Sequence, residues 1–197
     1  MINALPIILV GDGNHSLVAA KMEWDAVKAN LSETERENHP ARYALAELGN
    51  VYYESLEIEP IHRIVFDAPD GLLAAFVESS PYVSLGAGAG HQVRFVDRGE
   101  PGTLTIDGGT VGEAIDLLQE FLDSYIQHHG GEIDYIHGDA ELEELSKQAG
   151  NVAFFMPTTS KSALFESVIQ GGVFPKKSFS MGHGADKRHY VECRKIK

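Results

Sequence analysis

Several things are scarce in this sequence. It has one cysteine, Cys193, among 197 residues, so neither an internal disulfide nor a cysteine metal cluster can form. A lone cysteine fits a reducing compartment, and the cytoplasm is the expected location. Basic residues are few: 16 Lys and Arg face 29 Asp and Glu, a net charge of −13. That argues against a nucleic-acid partner, because such binding rests on neutralising phosphates. No apolar run approaches the roughly 20 residues of a membrane span. No basic patch followed by an apolar stretch marks a signal peptide, so no membrane partner is expected. HExxH, nucleophile-elbow, EF-hand and Walker motifs are all missing, as is the glycine fingerprint of dinucleotide folds.

What is present suffices for a folded body. Hydrophobic residues make up 43% of the chain, and a chain of this length can bury a real core. The expectation is a single α+β domain over 1–197. The charge is uneven. From Pro157 onward there are eight Lys or Arg and three Asp or Glu, a net +5, leaving −18 on the remainder. A basic segment in an acidic chain docks on its own acidic body or gathers an anionic ligand.

The stretch Gly11-Asp12-Gly13-Asn14-His15-Ser16 stands out. The apolar, β-branched run Ala4–Val10 before it reads as a buried strand. After it, Leu17, Ala20, Trp24 and Val27 mark one stripe of a helix. Two glycines therefore turn the chain into a helix N-terminus, whose N–H groups suit an anion. Asp12 would repel a bare phosphate and better suits a metal ion, a hydroxyl or an ammonium group. Two readings fit: a ligand-handling turn, or a cap in which Asn14 or Ser16 closes the helix.

Further along, Ser32 and Glu35 form a capping box that opens a short helical turn, and His39-Pro40 stops that turn. Ala41–Tyr53 reads as a long strand and Ile58–Phe66 as another. A helix through Leu72–Val77 comes after Asp67-Ala68-Pro69-Asp70. Gly86–Gly90 is a linker, and His91–Val96 with Leu104–Ile106 makes a hairpin. Thr110–His129 is the longest helix, ended by Gly130-Gly131. Ile133–Ile136, a helix capped by Asp139, and Val152–Met156 have the spacing of a βαβ unit with a parallel pair. Ser160 caps a last helix, and Lys177–Met181 with His189–Arg194 forms a terminal hairpin. The expected sheet is mixed, with helices packed on it.

His62 and Arg63 are adjacent in an apolar strand, so they face opposite sides. A buried charge there needs a partner, either one of the many carboxylates or the Asp12 loop. Ser160-Lys161-Ser162 opens a helix after a strand, a second N-terminus suited to an anion or simply capped by Ser160. Asp12, His15 and His62 supply part of a metal site without an identifiable remaining ligand. The three polar insertions are expected to line one cleft, since each sits beside an apolar strand.

Three segments carry a family resemblance: Val10–Lys21 (VGDGNHSLVAAK), Glu57–Asp67 (EIEPIHRIVFD) and Phe154–Gly182 (FFMPTTSKSALFESVIQGGVFPKKSFSMG). Together they resemble the SerB-cotranscribed protein family, a bacterial and archaeal domain of unknown function. The likeness runs over nearly the whole chain and corresponds to the C-terminal half of the family's usual length. It therefore implies a missing N-terminal half, or a homodimer partner in its place, and an apolar surface for either to cover. Asp12, Gly13, His15, His62, Arg63, Met156, Pro157, Lys161 and Ser162 match the family's pattern. Asn14 and Ser16 depart from its Asp-Gly-His-His-Arg loop. That loop also resembles the phosphate-handling loop of the ParB and sulfiredoxin superfamily, but Ser16 stands where the arginine would be.

The resemblance, with the residues above, implies a domain that binds a nucleotide with magnesium or a phosphometabolite. Phosphotransfer in serine-related metabolism is the implied activity. Asp12 would be base or metal contact and His15 an orienting donor. Arg63 and Lys161 would contact phosphate, helped by Gly11, Gly13, Asn14, Ser16, His62, Ser160 and Ser162. The rival expectation is a non-catalytic module that binds a small anionic ligand.

Overall fold

The computed structural model describes residues 8–11, 13–54 and 56–182. The chain divides into two compact units, the larger holding Glu57–Ser180 and the smaller holding Ile7–Leu56 with the residues from Met181 onward.

In the smaller unit, α1 is Asn14–Lys28, α2 is Glu33–Asn38, and a short 3-10 turn covers Pro40–Arg42. The capping box forms as expected: the Ser32 N–H and Oγ both donate to Glu35 Oε2, at 2.9 and 2.6 Å. The expected strands do not form among the described residues. Residues 8–10 and 43–50 lack regular structure, and Ile8, Leu45 and Leu48 are exposed. A strand needs a neighbour to take its backbone hydrogen bonds, and an apolar run alone does not provide one. Ala4–Ile7 and the second arm of the terminal hairpin lie outside the described residues.

The larger unit is an α+β sandwich. Its strands are β1 (Ile58–Phe66), β2 (Val83–Leu85), β3 (His91–Asp97), β4 (Glu100–Ile106), β5 (Glu132–His137), β6 (Val152–Phe155) and β7 (Phe179–Met181), the last residue of which, Met181, belongs to the smaller unit. Its helices are α3 (Leu72–Ser79), α4 (Val111–His129), α5 (Asp139–Ser146) and α6 (Lys161–Gly171). The sheet order is β2-β4-β3-β6-β1-β5, with β7 also on β1. The unit β5-α5-β6 is the expected strand–helix–strand crossover. However, β1 lies between its two strands and pairs antiparallel with both. β5 and β6 therefore run in the same direction without touching, and the hairpin β3-β4 and the pairings β3-β6 and β2-β4 are antiparallel too. Spacing along the chain sets a crossover's direction, whereas adjacency depends on which strand fills the gap.

Residue alternation on the central strands builds two cores. Val65, Phe95, Phe154 and Leu104 face α3 and α4, joining Leu72, Phe76, Leu118 and Leu122. Ile64, Ala153 and Phe155 face the opposite side and pack under Leu142 of α5. Pro60 is tolerated in β1 because the ladder with β5 begins only at Ile61, so no bond of that ladder needs its missing N–H. Helix α4 has its box at Thr110, whose Oγ1 accepts from the Glu113 N–H at 3.3 Å while Glu113 Oε2 accepts the Thr110 N–H at 2.6 Å. Thr110→Ala should cost about 1 kcal/mol, to be read as a lower urea midpoint with an unchanged slope.

Candidate functional site

The candidate residues fall on both units. Gly11, Gly13, Asn14, His15 and Ser16 belong to the smaller, and Asp12 lies outside the described residues. Helix α1 has Gly13 at its N-cap with φ 82 and no side-chain cap, so neither Asn14 nor Ser16 closes it. Asn14, His15 and Ser16 are exposed. Gly11 packs against the Met181 side chain, whose flexible thioether end would have to shift to admit a Cβ there.

In the larger unit His62 and Arg63 are both buried, and they serve opposite faces of β1. His62 lies on the α5 side. The Met156 N–H donates to its Nδ1 at 3.0 Å, so that nitrogen carries no proton. The ring proton sits on Nε2, which is 2.9 Å from Asp139 Oδ1. Asp139 is not the cap of α5 that its position suggests, because Gly138 holds that place. The Asp139 carboxylate turns instead to His62 and to Arg94 at 3.6 Å. Arg94 also pairs with Glu143 at 3.2 Å and lies over the Phe155 ring, 3.4 Å from its centroid. This network locks α5 onto β1, β3 and β6. It leaves no imidazole nitrogen free to act as a base.

Burial pushes the His62 imidazole below its ordinary value of 6.5, against the pull of Asp139. The unfolded chain then binds the extra proton more readily. The stability this provides is complete above the ordinary value and is lost as pH falls through the lower, folded one. His62→Asn keeps an acceptor for the Met156 N–H and removes the titrating ring. It should flatten the loss of stability that sets in as pH falls below the ordinary histidine value, measured as denaturation midpoints against pH.

Arg63 lies on the α4 side with 0% of its surface exposed. Its Nε donates to Gln119 Oε1 at 3.1 Å, and its Nη1 donates to the Ile61 carbonyl. Gln119 Nε2 in turn donates to Asp123 Oδ1 at 2.9 Å. The expected carboxylate partner is thus held one amide away. The Tyr135 ring centroid is 5.3 Å from the guanidinium. Nη2 has no hydrogen-bond partner among the described residues. Burial lowers the Arg63 pKa to about 10, with Tyr135 and Asp123 acting the other way, so it remains charged near neutrality. An unpaired buried charge is costly, and this one is the sharpest polar anomaly of the unit.

Ser160 caps α6 as expected, accepting from the Ala163 N–H at 3.1 Å, and its Oγ lies 2.9 Å from that of Ser162. Lys161 is half-buried in the first turn. The approach to that turn, Thr158-Thr159, shares a shallow cleft with Ile58 and Pro60 of β1 and with Ser178 and Phe179. The fold thus brings the start of β1, the α6 approach and the segment around Ser178 together. Among the described residues no three His, Cys, Asp or Glu side chains gather for a metal, and no helix is long and apolar enough to cross a membrane.

Sequence reasoning missed Asp139, Arg94, Gln119, Asp123 and Tyr135 as partners. Their only local signal was the pairing of Asp139 with a helix start, because strand register decides the rest: Arg63 lies opposite Tyr135 on β5 and Phe154 on β6.

Comparison with known proteins gives one family. The model for the protein of unknown function DUF1015 matches residues 1–153. The match includes the segments Val10–Lys21 and Glu57–Asp67, while the segment beginning at Phe154 lies outside it. No curated protein and no solved structure matches, and the ParB and sulfiredoxin likeness finds no support here.

Proposed function

Taking as premise that the chain belongs to the DUF1015 family of proteins of unknown function, we propose that its larger unit binds a small anion. A nucleotide or other phosphometabolite is the ligand class. The observation that carries this reading is Arg63: a fully buried guanidinium whose Nη2 has no partner among the described residues. Such a group is stabilised by an acceptor that arrives from outside the fold. His62 acts here as a structural tie, since both its nitrogens are engaged. That favours a binding role for the β1 region over acid–base chemistry there.

The test is a panel of ATP, ADP and CTP, with and without magnesium, and of simpler phosphate esters, read by thermal unfolding. A ligand at a hundred times its dissociation constant stabilises by roughly 2.7 kcal/mol. Each kcal/mol moves the midpoint of a chain this size by about 2–4 °C. Shifts on the order of 5–10 °C are expected, and a panel that leaves the midpoint unmoved overturns the reading.

A second reading concerns the smaller unit by itself and is catalytic; the observation that favours it is that Gly13, at the N-cap of α1, provides no side-chain cap, so no cap side chain competes with an anion for the first turn. Asp12 and His15 then supply base or metal contact and orienting donor, and Asp12→Asn abolishes ligand consumption while sparing most of the binding. No consumption of any panel member by the unaltered protein would leave only the binding role.

A further inference from the structure

Lys177 was not among the residues the sequence pointed to, yet its ammonium sits 4.3 Å from the centroid of the same Tyr135 ring that lies against Arg63. Two cations thus share one aromatic ring, which attracts each only modestly and adds no negative charge. The nearest carboxylate linked to Arg63, Asp123, is reached through Gln119. Lys177 also has φ 57, a left-handed conformation that a side chain with a Cβ rarely adopts and that clusters at ligand clamps. The backbone therefore holds an exposed lysine over a ring that also lies against a buried arginine whose Nη2 has no partner among the described residues.

We propose that Arg63 and Lys177 together hold one phosphate-type oxyanion, with Tyr135 as the cover that the ligand displaces from the guanidinium. The inference rests on the anion-binding reading above and names the chemistry of its ligand. Arg63 Nη2 offers two N–H donors and Lys177 three, matching the several acceptor oxygens of a phosphate. Two cations facing one group suit a phosphate, which carries about −1.5 to −2 charges at neutral pH as a monoester, better than the single charge of a carboxylate. Ser178, next to Lys177 in the chain, lines a shallow cleft with Pro60 and Thr158-Thr159 that Arg63, Tyr135 and Lys177 do not line, so the proposed contacts are those to the oxyanion itself.

The experiment is calorimetric titration of the full chain with inorganic phosphate, and separately with acetate, at matched ionic strength. Saturable phosphate binding is expected, with acetate at least about tenfold weaker. Lys177 is exposed, so Lys177→Ala keeps the fold and should weaken phosphate about tenfold or more. Tyr135→Ser removes the group that competes for Arg63 and should tighten phosphate several-fold, the opposite of what a purely structural ring would give. If members of the anion panel bind but Lys177→Ala binds them as tightly as the unaltered chain, this inference fails and the broader reading stands. If acetate binds as well as phosphate, the phosphate assignment fails. If no anion binds at all, both fall together.

Discussion

Arg63→Met combined with Gln119→Leu is expected to raise the unfolding midpoint of the protein and to abolish its response to anions. The guanidinium is buried, remains charged, and leaves Nη2 unpaired among the described residues. Replacing buried ionic groups with apolar residues of similar volume is commonly neutral or stabilising, by about 1–4 kcal/mol. Gln119 is changed as well because its Oε1 accepts from Arg63 Nε, and the single substitution would orphan that oxygen at about 1–3 kcal/mol. Asp123 loses its amide donor, but it is exposed and water replaces the bond. Chemical denaturation with and without phosphate reads both effects. A double variant clearly less stable than the starting protein would mean that Arg63 is an ordinary structural cation, and its assignment to a ligand would be withdrawn.

Phe154→Ala should give the largest loss of stability, about 3–5 kcal/mol. Phe154 has no exposed surface and sits on β6 between Arg63 of β1 and Phe95 of β3. It belongs to the larger core, with Leu118 and Leu122 of α4 and Phe76 of α3. Truncation leaves a void bounded by three elements that cannot all relax into it. At about 2–4 °C per kcal/mol, the midpoint should fall on the order of 10 °C, with the denaturant slope retained. A loss under about 1 kcal/mol would show that β6 does not occupy the middle of the sheet.

Much of the larger unit was legible residue by residue. The expected helix Thr110–His129, ended at Gly130, is α4, Ile58–Phe66 coincides with β1, and His91–Val96 with Leu104–Ile106 lies in the hairpin β3-β4. These signals are local: a cap, a run of alternating burial, a glycine at a helix end. The same local logic failed at 43–50, where an apolar pattern exists without a neighbouring strand to complete it. It also missed β2, whose three residues owe their conformation to pairing with Leu104–Ile106.

The sequence by itself determined the α+β class, the main helices and strands of the larger unit, and that His62 and Arg63 must serve opposite faces, because successive side chains on a strand alternate. Only the tertiary structure decided that β1 enters between β5 and β6. That insertion places Asp139 against His62, Tyr135 against Arg63, and Lys177 over the same ring. Each of those contacts joins residues far apart in the chain, 77 positions in the case of His62 and Asp139. They depend on strand register, which is set by how the two cores pack and leaves no mark in the sequence around any one of the residues.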